Sequence, residues 1–79
     1  MAGYEPTLER FERIVNRRTE PFTLREVLTE LNTFPNGKMR RRGTMSVDEA
    51  AKYGRKNKII VKVGQKGNAA LWMPGRAVA

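Results

Sequence analysis

Cysteine and histidine are both missing from these 79 residues. Their absence excludes disulfide staples, thiolate and imidazole zinc sites, a Cys nucleophile and a Ser-His-Asp triad. Long hydrophobic runs are missing too. No apolar stretch approaches the roughly 20 residues of a membrane span, and the Met-Ala-Gly start lacks a signal-peptide pattern. The expectation is a protein without a membrane partner, cytoplasmic, or nuclear if the source is eukaryotic. Acids are scarce at eight. Asp48 and Glu49 are adjacent, so on a helix their side chains diverge by about 100° and do not share a metal. No Gly-Lys-Ser/Thr phosphate loop occurs. No catalytic residue, metal or cofactor is assigned, and an enzyme is not expected.

Apolar material is limited. Val, Ile, Leu and Phe number 17 of 79 residues, just above the roughly 20% below which a charged chain stays disordered. One small domain with a thin core follows. Positive charge is plentiful: 16 Lys and Arg give a net +8. Its distribution matters more than its sum. Residues 1–36 hold five basic and six acidic residues, whereas residues 37–79 hold eleven basic and two acidic. A surface tuned for solubility mixes the signs. A basic half on a near-neutral half is the electrostatic footprint of a polyanion-binding face.

The periodicity gives three helices and a hairpin. Leu8, Phe11, Ile14 and Val15 form one apolar stripe from about Pro6 to Arg18, and Thr19-Glu20-Pro21 ends it. Thr23-Leu24-Arg25-Glu26 is a capping box, with Phe22 and Val27 spaced as a hydrophobic staple. Leu24, Val27, Leu28 and Leu31 then line one face, to about Asn32. Residues 33–45 form a long connection carrying Lys38-Met39-Arg40-Arg41-Arg42 between Gly37 and Gly43, and long connections tend to be functional. Ser46-Val47-Asp48-Glu49 is a second capping box, opening a helix with Val47, Ala50 and Ala51 on its apolar face and Gly54 beside them. Lys58 to Val63 reads as a strand with Ile59, Val61 and Val63 on one face. Gly64-Gln65-Lys66-Gly67-Asn68 reads as the turn, and Ala69 to Met73 as the return strand, ended by Pro74. The domain is expected over residues 5–74, with a flexible tail at 75–79.

This order of elements resembles the winged helix-turn-helix family of nucleic-acid-binding domains over residues 7–73. The resemblance rests on the extended Phe22, the helices opening at Thr23 and Ser46, and the hairpin with Gly64-Gln65-Lys66-Gly67-Asn68 at its tip. It implies an α+β fold, a small winged-helix domain of three helices followed by a two-stranded β-hairpin wing. It also implies a reading helix from Ser46 in the DNA major groove and a wing, Lys58 to Met73, on the backbone or minor groove. The connection before Ser46 is longer than the family's three- or four-residue turn, and Asp48 and Glu49 make the helix start acidic. The docking is therefore expected to lean on Lys52, Arg55, Lys56 and the wing.

The candidate nucleic-acid contacts fall into three groups. Lys38, Arg40, Arg41 and Arg42 offer ammonium and guanidinium groups to phosphates. Lys52, Arg55, Lys56 and Lys58 give the third helix and its exit a single sign of charge. Lys62, Gln65, Lys66 and Asn68 decorate the wing, where glycines let backbone N–H groups approach phosphates. Trp72 reads as a core residue closing the hairpin onto the helices rather than a stacking platform. The expected function is a sequence-specific or architectural double-stranded DNA-binding protein, a small transcriptional regulator. An RNA-binding winged helix, or a small phage or plasmid protein that binds a host protein, stays open as an alternative. Homodimerisation through the helix near Phe11 is also open. Gly64 to Gly67 matches the GxxG loop of KH domains, but that loop needs helices on both sides and Ile59-Ile60-Val61 reads as strand.

Overall fold

A computed structural model of the protein describes residues 7–78. The expectations for a domain start at residue 5, for a helix start at Pro6 and for Ala79 lie outside that range. Four helical segments and two strands follow in the order α1 (Thr7–Asn16), α2 (Leu24–Leu31), α3 (Val47–Lys56), β1 (Ile60–Lys66), β2 (Ala69–Pro74) and α4 (Gly75–Val78). This is a small α+β domain, three helices and then an antiparallel hairpin, consistent with the winged-helix layout.

The first helix buries Phe11, Ile14 and Val15. Leu8, expected in the same stripe, is 43% exposed. The helix stops at Asn16 rather than Arg18, and the N–H groups of Arg17 and Arg18 turn to the carbonyls of Ile14 and Val15, a tightened last turn. The second helix matches its pattern throughout. Glu26 N–H donates to Thr23 Oγ1 at 3.3 Å, and Thr23 N–H donates to Glu26 Oε2 at 2.8 Å. All four of its apolar residues are buried, as are the staple pair Phe22 and Val27. Phe22 also exchanges two backbone hydrogen bonds with Trp72, at 3.0 and 2.8 Å, so a one-residue strand joins the open edge of β2. That bridge seats the hairpin on the helices, which a two-stranded ribbon needs.

The long connection is not an open loop. Thr33 and Met39 form an antiparallel bridge around a tight reversal, with Gly37 at φ +88°. Phe34 N–H donates to Lys38 O at 2.8 Å, and Asn36 Oδ1 accepts from Lys38 N–H at 3.0 Å. The far end is held by Asn32, whose side-chain amide donates to Met45 O and accepts from Met45 N–H, both at 3.0 Å. The residue that stops α2 therefore also fixes the approach to α3. There Ser46 and Glu49 complete the second capping box. Gly54 is an interior residue of α3: a Cβ there would lie 2.8 Å from Ile60 Cγ1, so the glycine lets β1 pack close. Val47, expected inward, is 49% exposed.

The hairpin differs from its sequence reading in register. Lys58 takes φ +58°, which reverses the chain directly after α3 and buries both Ile59 and Ile60. Val61 and Val63, read on one face with Ile59, are exposed while Ile59 is buried. Gly64-Gln65-Lys66 belongs to β1, paired with Leu71, Ala70 and Ala69, so the turn shrinks to Gly67-Asn68. Gly67 takes φ +61°, the conformation that a two-residue hairpin turn asks of glycine. A bulge between Lys62 and Gly64 absorbs the extra residue. The return strand ends at Pro74. The tail expected to be flexible from Gly75 begins with the helical turn α4, anchored by Gly75 N–H on Ile59 O at 2.7 Å. The core gathers Phe11, Val15, Val27 and Leu31 with Phe22, Ile60 and Trp72.

Candidate nucleic-acid interface

The basic side chains collect in three concavities. The first lies between α1 and the connection before α3, with a volume of about 880 Å³. It brings Lys38, Arg40, Arg41 and Arg42 together with Arg10 and Arg13 of α1. Arg10 has a structural task there: one of its terminal nitrogens donates to the carbonyls of Leu31 and Gly43, tying the end of α2 to the end of the basic run. Arg40 is likewise held. Its guanidinium carbon sits 4.3 Å from the centre of the Phe34 ring, a cation–π geometry. The Phe34 ring thus serves as a platform for an arginine. Arg41 and Arg42 are exposed.

The second concavity, about 550 Å³, lies where α3 faces the start of α1. Lys52 and Lys56 line it, with Leu8 and Tyr53. Glu49 lines it as well, but its carboxylate is turned back on the helix start, accepting from Ser46 N–H at 3.0 Å. The backbone N–H of Ser46, and then its hydroxyl, hold the Glu49 carboxyl below its ordinary value of 4.5. One of the two acids that open α3 is thereby committed to capping.

The third concavity, about 830 Å³, lies between the end of α3, β1 and α4. It holds Arg55, Lys58 and Lys62 from the expected set, and Arg76. Gln65, Lys66 and Asn68 line none of these grooves. They stand exposed toward the hairpin tip, where Gln65 Nε2 donates to Gly67 O at 2.9 Å and braces its own turn.

Three arginines escaped the sequence reading. Arg10 and Arg13 are three residues apart, a spacing that puts both on one flank of α1, but they belong to the half of the chain without excess charge. Arg76 falls in the segment expected to be a flexible tail, and nothing local marks Gly75 as a docking point. Electrostatically the halves differ as their composition implies. Arg17 and Arg18 both pair with Glu30, at 2.5 and 3.1 Å. Among the described residues, no cation from Lys38 to Arg76 takes part in an ion pair. No helix among them is long and apolar enough to cross a membrane. Comparison with protein-family models, curated proteins and solved structures finds no match for this chain.

Proposed function

We propose that this protein binds double-stranded DNA as a small transcriptional regulator or architectural factor of the winged-helix type, and that it is a binding protein rather than an enzyme. The reading is supported most by one observation: the cations from Lys38 to Arg76, spread over the connection, α3, β1 and α4, gather in three grooves, and among the described residues no carboxylate pairs with any of them. Clustered like charges repel, and phosphates at 1.7 Å of duplex axis per charge are the partner that relieves them. In this reading α3 presents Lys52, Arg55 and Lys56 to the major groove. Arg41 and Arg42 of the connection grip the backbone, and the wing residues Lys62, Lys66 and Asn68 lie along it. Such a protein works where DNA is, in the bacterial cytoplasm or a nucleus.

The test is a set of titrations with duplex DNA, single-stranded DNA and RNA at about 50 and 200 mM salt, an interval over which a protein making about 6–10 phosphate contacts loses roughly three to five decades of affinity. Duplex DNA should bind tightest and weaken steeply with salt. Arg41→Ala combined with Arg42→Ala should weaken every sequence alike and lower the salt slope by about 2. Tighter binding to RNA would move the reading to an RNA-binding winged helix. No nucleic-acid binding at low salt would sink it and leave the protein-partner alternative.

A further inference from the structure

The groove between the end of α3, β1 and α4 has an unusual lining. Every side chain in it is either cationic or apolar. Arg55, Lys58, Lys62 and Arg76 supply the charge, and exposed Val61 above the core residues Ile60 and Trp72 supplies the rest. Its cations come from three separate elements. Lys58 is turned there by its left-handed backbone. Arg76 is brought in because Gly75 lies against the Lys58 carbonyl, where any side chain would clash. A duplex backbone alone would satisfy the charges and leave the apolar lining against sugar and water. A ligand with a flat apolar body next to phosphates matches both halves, and about 830 Å³ accommodates one.

We propose that this groove receives an unpaired nucleotide, its base on exposed Val61 over a floor formed by the core residues Ile60 and Trp72, and its flanking phosphates on the four cations. Single-strand sites combine a basic track with an apolar or aromatic surface, and they tolerate any sequence because every base has a π-face. The inference rests on the nucleic-acid reading above and adds a preference to it: duplexes bearing a single-stranded extension or an unpaired base over blunt duplexes.

Trp72 is the sole tryptophan and lies at the floor of this groove, so a change in its emission without a change in fold reports on what the groove holds. The full chain is titrated with a blunt duplex, with the same duplex carrying a short single-stranded extension, and with that extension made abasic. The ordinary extension should bind about tenfold tighter than the blunt end, the gain of one stacked base, and should quench Trp72. The abasic extension keeps the phosphates and should lose the quenching. Arg76→Glu and Lys62→Glu, both at exposed positions, should each remove the preference while the far-UV circular dichroism stays unchanged. Equal affinity and equal emission for blunt and extended DNA, with duplex binding intact, would overturn this inference and spare the proposed function. Failure to bind any of the three would overturn both.

Discussion

At the scale of single residues, the shape of the basic surface depends on places where a side chain is missing. Gly75 follows Pro74 directly, and its N–H bonds to Ile59 O at 2.7 Å while its Cα lies against the Lys58 carbonyl. A methyl group there would overlap that carbonyl oxygen, which is backbone and has no rotamer to give. The expected result of Gly75→Ala is therefore loss of α4 docking, at about 1–3 kcal/mol by the usual cost of overpacking. Arg76 would leave the groove with it. Urea unfolding measures the first effect, and the affinity of the variant for DNA with an extension measures the second. Unchanged values for both would mean that α4 contributes nothing to the surface. Gly54 is a milder case. Its absent Cβ would meet Ile60 Cγ1 at 2.8 Å, but that neighbour is a side chain, and alanine would return about 1 kcal/mol of helix propensity.

At the scale of elements, α3 is held by a start that the sequence spells out and an end that it does not. Ser46 and Glu49 form the capping box reciprocally, so Ser46→Ala should cost about 1 kcal/mol. The pH dependence has a definite sign. Glu49 has a folded pKa below its ordinary 4.5 because Ser46 donates to its carboxylate. Its contribution is therefore fully present above about pH 4.5 and fades as the pH falls through the lower folded value. Glu49→Gln should flatten the acid side of the stability profile, read by thermal unfolding between pH 3 and 6. An unaltered profile would show that the carboxylate hydrogen bond does not form. Both capping boxes and the α2 face were legible because they are local: four consecutive residues carry the whole signal. The hairpin register was not. Its alternation put Ile59, Val61 and Val63 on one face, but the reversal at Lys58 and the bulge before Gly64 reset which residues face the core. The small ribbon of Thr33 and Met39, the Asn32 clamp on Met45 and the docking of α4 escaped for the same reason. Each depends on groups brought together by the tertiary fold. The candidate site shows the same split. Cation density along the chain picked out Arg41, Arg42, Lys52 and Arg55, whereas Arg10, Arg13 and Arg76 join the grooves only through packing.

At the scale of the whole molecule, salt should act on folding and on binding with opposite signs. The net charge is +8 in a body with a radius of gyration of 12.5 Å. Neutralisation is uneven: Glu30 serves Arg17 and Arg18, while the cations from Lys38 to Arg76 have no ion-pair partner among the described residues. Two like charges about 8 Å apart in water repel by about 0.5 kcal/mol, and a physiological salt concentration has a screening length of about 8 Å. On α3, Lys52 lies three and four residues before Arg55 and Lys56, the spacing of neighbours on one helix face, so raising the salt from about 20 to 200 mM should raise the urea midpoint of the free protein. Over the same range the affinity for duplex DNA should fall steeply, because each phosphate contact releases condensed counterions. A protein stabilised by surface ion pairs would do the reverse in the folding experiment, since screening weakens those pairs. The sign of the stability change thus reports on the repulsion without any ligand present. A polyanion without bases, such as heparin, supplies the complement. Binding only the folded state, it should stabilise the protein by about 2.7 kcal/mol at a hundred times its dissociation constant, and that gain should disappear at high salt. A free protein whose stability falls with added salt would mean that its cations are already compensated, and the electrostatic basis for a nucleic-acid partner would be gone.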